Sequence, residues 1–258
     1  MRIVVPLFEG FTALDAVGPY EVLSRLPGAR LLFAATETGP VRSDTGVLAI
    51  TADARLADVD SCDVLVVPGG PGTRRLMHDP ELTGWIRRVH ETTQWTTSVC
   101  TGSLLLGGAG LLEGLHATTH WSAVELLESF GARYVTERVV VRGKVVSAAG
   151  VSAGIDMALT LAELIAGDDV ARAIQLAIEY DPQPPFDCGS VAKAGPALVD
   201  LIRTVLSDSG ADGRADGSAD ARADGSADDR ASPTPGPHRR PGPQPGPAER
   251  PDQSQTTL

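Results

Sequence analysis

With 258 residues, 42% of them hydrophobic, and a formal charge of −11, the chain has length for one α/β domain with a sizeable core, or for two small ones. The negative surplus opposes binding to nucleic acid, and three scattered cysteines without CxxC spacing argue against a disulfide framework and for a reducing compartment. MRIVVPLFEGF lacks the long apolar region and cleavage site of a secretory signal, and no run approaches the ~18 apolar residues of a membrane span. The expectation is a cytoplasmic protein that acts on a small molecule, with no nucleic-acid or membrane partner.

RIVVPL (2–7) reads as a buried strand, and Leu14, Val17, Val22 and Leu23 then recur at helical spacing. ARLLFAA (29–35) is a second strand, followed by a hairpin around GPVRSDTGVLAI and by the continuous apolar run DVLVVPGG (63–70). A helix is predicted near 80–91, a strand over QWTTSV (94–99) and a helix over CTGSLLLGGAGLL (100–112). RVVVRGKVVSAAG (138–150) reads as a hairpin turning at Arg142-Gly143, and two successive helices follow over 152–167 and 168–180. Such β-α alternation predicts a doubly wound, mostly parallel sheet with helices on both faces. Ligands of such sheets sit beyond the carboxyl ends of the strands.

Composition changes after Leu206, so the domain is placed at 1–206. From 207 to 258 the chain is first rich in Ala, Asp and Gly and then in Pro. A segment so poor in apolar residues cannot offset the entropy of ordering, so a disordered tail is expected.

Cys100 follows a strand and opens a helix of small residues. Backbone N–H groups at a helix start favour an anion, so this placement is expected to lower the thiol pKa. Gly102 would relieve crowding at a nucleophile elbow. Thr101 can donate its hydroxyl or hold a water, and the PGGPG run (68–72) offers backbone N–H groups for an oxyanion-type site. Cys62 and Cys188 lack this context and read as inert. Asp15 and Glu21 are the acids near the first strand's end, and the residues alone favour Asp15 as a helix cap. GVSAG (150–154) fits GxSxG, but the only histidine after Ser152 is His238 in the tail, so a serine triad fails on chain order. His116 and His120 stand four apart without the Glu of HExxH, which argues against zinc. His120 has two readings, pocket residue or structural histidine.

LDAVGPYEV (14–22), VVPGG (66–70), SVCTGSLLLG (98–107) and ATTHW (117–121) together resemble the DJ-1/PfpI superfamily, a flavodoxin-like fold also called class I glutamine amidotransferase-like. AGLL, ERVV, AGID and EYDPQPPF (179–186) add a resemblance to its isonitrile (cyclohexyl isocyanide) hydratases. The resemblance implies Cys100 as nucleophile, Asp15 as its acid partner in place of the cap, and Thr101 as pocket hydroxyl. It places Gly69, Gly70 and His120 at the pocket and Val151 and Ser152 on a mobile turn beside the cysteine. The implied activity is a lyase reaction: water adds to an isonitrile through a Cys100 thioimidate, with no cofactor and no metal, in a homodimer. Thr101 stands where the protease-like branch has His, which speaks against proteolysis. Two alternatives stay open. One is a stand-alone ligand or redox sensor, related to the N-terminal domains of AraC-type regulators. The other is a glyoxalase- or deglycase-like thiol enzyme.

Overall fold

The computed structural model describes residues 1–211, so from residue 212 on the expected tail lies outside the described residues. The elements are, in order, β1 (Arg2–Pro6), α1 (Ala13–Leu23), β2 (Arg30–Ala35), β3 (Gly39–Arg42), β4 (Ala49–Ala52), β5 (Ala54–Arg55), β6 (Val64–Val67), α2 (Thr73–Leu76), α3 (Pro80–Thr92), β7 (Trp95–Val99) and α4 (Gly102–Gly108). Then come β8 (His116–Ala117), α5 (Val124–Ser129), β9 (Arg133–Tyr134), β10 (Val139–Arg142), β11 (Val145–Ala148), α6 (Ala153–Ala166), α7 (Asp168–Ala177), α8 (Val191–Ala194) and α9 (Pro196–Ala211).

Seven strands form the central sheet in the order β10-β11-β7-β6-β1-β2-β5. All neighbours are parallel except β10 and β11, the hairpin expected at Arg142-Gly143. β1 and β6 are fully or almost fully apolar and buried on both faces, as a sheet covered by two helical layers requires. α1, α6 and α7 pack together as one layer, and α2, α3, α4 and α5 make contacts among themselves as another. β3 and β4 form a separate antiparallel hairpin. Among the described residues no helix is long and apolar enough to cross a membrane.

The chain runs from β1 to β2 on one side and returns to β6 and β7 on the other, so a switch point lies between β1 and β6. The register pairs Val67 with Ser98 and Ala148 with Val99. The ends of β6, β7 and β11 therefore finish level, and their following turns lie side by side.

One predicted helix is shorter than expected, and one helix, α9, was not predicted. The one predicted over 100–112 is only Gly102–Gly108, because Cys100 takes φ +56° and the chain turns out after Gly108. His116 and His120 do not share a helix: His116 is in β8, and His120 caps a short 3₁₀ turn. α9 begins at Pro196 and continues past the composition break at Leu206 as far as Ala211.

Gly102 opens α4 directly against β6. A Cβ there would run into the carbonyls of Val67 and Pro68, which are backbone and cannot rotate away. Gly102→Ala is expected to cost about 1–3 kcal/mol, read as a lowered midpoint in thermal or urea unfolding.

Candidate active site

Cys100 sits between β7 and α4 in the left-handed region, which a non-glycine residue enters only under constraint. The constraint is visible in its backbone. Its N–H is shared between the carbonyls of Ala148 and Ala149, at 3.1 and 3.0 Å. Its carbonyl accepts the Ser103 and Thr119 hydroxyls, each at 3.1 Å. The ATTHW segment thus clamps the elbow through Thr119, and Thr118 N–H ties it to Ser147 Oγ at 2.9 Å.

Asp15 lies in the first turn of α1, and Thr12 occupies the cap position, so the cap reading of Asp15 fails. Its side chain is buried completely beside Cys100. Oδ2 accepts the Gly69 N–H at 2.9 Å, while Oδ1 has no hydrogen-bond partner in the structure. The Gly70 N–H donates to Thr101 Oγ1 at 2.9 Å, and that hydroxyl lies 3.2 Å from the Gly70 carbonyl. The PGGPG amides are therefore directed at the acid and at Thr101, rather than left open toward a reacting atom. The groups aimed at the sulfur are the N–H of Val151, the N–H of Thr101 and the Thr101 hydroxyl.

The electrostatics reverse one expectation. Burial pushes the Cys100 thiol up to about 12, the negative charge of Asp15 adds to that, and the two N–H groups and the hydroxyl only partly oppose it. The helix-start effect loses because the sulfur is cut off from water, with the residue 5% exposed. Burial likewise raises Asp15 to about 7, against the Gly69 N–H and the thiol, which favour its charge. The two groups share one apolar site, so loss of either proton makes the other harder to remove.

His120 lines the cleft above Cys100. Its Nδ1 accepts the Ser122 N–H at 3.3 Å and lies 2.8 Å from Ser122 Oγ, which places the ring proton on Nε2. Burial first, then the positive charge of Arg74, holds His120 below its ordinary range, so the ring is neutral. Gly150 is bare because a Cβ there would meet His120 Cδ2 at 2.9 Å. Val151 lines the cleft as well.

Ser152 lies on the turn between β11 and α6, next to Val151. It caps α6, and its hydroxyl accepts from Arg138 at 3.1 Å; Arg138 also pairs with Asp156, which accepts the Tyr180 hydroxyl at 3.2 Å. The Ser152 hydroxyl is thus held in a polar cluster with Arg138, Asp156 and Tyr180, and the serine triad stays excluded by chain order. Cys62 is buried and burial pushes it up to about 12, while Cys188 is exposed in the segment before α8. No cluster of His, Cys, Asp and Glu among the described residues could hold a metal ion.

The sequence did not single out five other residues at the cleft: Thr12, Asp44, Arg74, Ser122 and Leu206. Thr12 Oγ1 donates to Asp44 Oδ2 at 2.8 Å, bringing the turn between β3 and β4 to the rim. No local pattern around these positions signals a site, since tertiary folding alone assembles them.

The fold and this site define a doubly wound α/β protein with a cysteine on a strand-to-helix elbow and a buried acid at its side. The chain belongs to the DJ-1/PfpI family, whose model matches residues 1–164. It is 45% identical over 197 residues to the isonitrile hydratase of Pseudomonas putida, covering 76% of this chain and 86% of that one. The crystal structure of a ThiJ/PfpI family protein from Pseudomonas syringae superposes with a TM-score of 0.77 at 35% identity, over 81% of this chain and 87% of that one. A glutathione-independent glyoxalase of Caenorhabditis elegans is more distant, 24% identical over 168 residues, or 64% of this chain and 89% of that one.

The raised carboxyl sets a pH dependence of stability. Below about 3.8 both folded and unfolded chains hold the Asp15 proton; between there and about 7 only the folded chain does. Stability from this group therefore falls as pH rises through that window and is flat above it. Asp15→Asn removes the buried charge and is expected to raise stability at pH 8 by on the order of 2–4 kcal/mol. The gain should shrink toward pH 4, as urea unfolding of both proteins would show.

Proposed function

We propose that this chain is a hydro-lyase that converts an isonitrile to an N-substituted formamide through Cys100. The observation that carries the reading is the Asp15–Cys100 pair: a completely buried carboxyl, raised to about 7, with one oxygen unpartnered next to the thiol. The Pseudomonas putida relative supports the substrate class.

The chemistry needs one proton moved twice. Asp15 takes the thiol proton as sulfur attacks the terminal carbon of R–N≡C, then delivers it to that same carbon, giving R–N=CH–S–Cys100. The Val151 and Thr101 N–H groups meet the charge on sulfur while the thiol is deprotonated. Water adds to the thioimidate carbon with one of its protons going to nitrogen. The C–S bond then breaks, its electrons and the hydroxyl proton return to sulfur, and R–NH–CHO leaves. No step calls for a metal or an organic cofactor.

Cys100→Ala is expected to abolish formamide formation from cyclohexyl isocyanide, followed by NMR; undiminished turnover would sink the proposal. Parallel assays with methylglyoxal separate the glyoxalase-like alternative, for which lactate would appear.

The reactive form, thiolate with protonated Asp15, carries one proton on the pair. The one-proton pair, resting as carboxylate and thiol, displaces the two-proton form as pH rises past about 7. The kcat/KM is expected to climb about tenfold per pH unit below 7 and level off above it. A profile that falls through neutrality would contradict this proton count.

A further inference from the structure

The cleft over Cys100 does not end at the rim. Arg74, Ser122 and Leu206 line both the cleft and an adjoining outer depression, which Trp121, Glu125 and Arg203 also border. An isonitrile is linear at R–N≡C, so with its carbon at the sulfur the substituent must point back along the axis toward this junction. Arg74 is one of the residues that line this junction.

Arg74 is equipped to be met there. It stands on the exposed side of the short α2 helix; its backbone N–H bonds the Pro71 carbonyl, while its guanidinium makes no hydrogen bond or ion pair with any described residue. Its charge nevertheless reaches into the cleft, where it acts on the His120 ring. A second cation lies farther out: Arg203, 5.8 Å over the Trp121 ring and only loosely paired with Asp200 at 3.5 Å. A chain with a net charge of −11 thus gathers two arginines along the one path from its reactive sulfur. The acids nearby are otherwise placed. Asp44 has both oxygens engaged, by the Thr12 hydroxyl and the Thr45 N–H, and Glu125 is at the surface of the outer depression.

We infer that Arg74 is a specificity-determining residue that binds a carboxylate at the far end of the substrate, so that the preferred substrates are isonitriles bearing an acidic substituent. This rests on the isonitrile reading above and narrows it. Asp44, which also lines the cleft, repels a carboxylate held beside it, so the preference depends on the length of the spacer. An arginine fork matches a carboxylate with two parallel N–H donors, and in a partly desolvated cleft such a contact is worth about ten- to a hundredfold in binding.

The test uses ω-isocyanoalkanoates of increasing chain length together with their methyl esters, which keep the reacting group and the spacer but lose the charge. The readout is the ratio of kcat/KM for acid over ester within each protein, which cancels any general change in activity. The wild type should favour the acid at least tenfold at its best spacer length, mainly through KM. In Arg74→Gln the ratio should fall to about one or below, and Arg74→Lys should recover part of it. Equal use of acid and ester by the wild type at every length would overturn the inference, as would a preference that survives Arg74→Gln. If the wild type converts neither acids nor esters nor cyclohexyl isocyanide, the isonitrile reading itself fails and takes this one with it; turnover of cyclohexyl isocyanide or of the esters without acid preference removes only the role of Arg74.

Discussion

Backbone packed directly against backbone is the contact on which the site depends. The loop after β6 crosses the turn that carries Cys100 so closely that no side chain fits between them. A Cβ on Gly69 would lie 2.6 Å from the Thr101 nitrogen and 2.8 Å from Asp15 Oδ2, and one on Gly102 would strike the Val67 carbonyl. The close approach lets the Gly69 amide reach the acid and the Gly70 amide reach the Thr101 hydroxyl. It also seals the acid and the sulfur from water. Geometry and electrostatics therefore have one source: the exclusion that positions Asp15 is the exclusion that raises it.

That common origin explains why the position of Cys100 was legible and its acidity was not. A strand-to-helix turn with small residues can be read from SVCTGS, and the alternating apolar runs give the sheet order its parallel character. The sign of the thiol shift cannot be read this way. A helix start contributes a local, favourable field, whereas desolvation depends on how α1, the loop after β6 and the turn after β11 close over the sulfur. Where the sulfur is nearly buried, desolvation wins.

Other differences have the same form. His116 and His120 are spaced for a helix face, but Thr118 and Thr119 between them spend their backbone and hydroxyl groups on Ser147 and Cys100, which holds the segment out of helix. Ser152 matches a nucleophile motif in sequence, yet its hydroxyl accepts from Arg138, which is itself paired with Asp156. Arg74 and Asp44 carry no motif at all. Each is brought to the rim by a segment whose own sequence signals only a turn or a short helix. What the sequence conveys well is the scaffold that aims the reacting atoms, and what it conveys poorly is the wall facing them.

The depth of the sulfur bears on which substrates are compatible with it. A peptide carbonyl is flanked by two bulky chains and must present a planar face, which a residue 5% exposed at the base of a cleft does not readily accommodate. The terminal carbon of an isonitrile has no substituent beyond it and arrives end-on. Thr101, locked to the Gly70 backbone, also lacks the ring nitrogen that would protonate an amine leaving group. Hydration has no such leaving group: in the proposed reaction the proton that Asp15 would take from sulfur is the proton the substrate carbon needs. A site that keeps its thiol protonated at rest and relays that single proton through a carboxyl near neutrality is suited to addition chemistry rather than to cleavage.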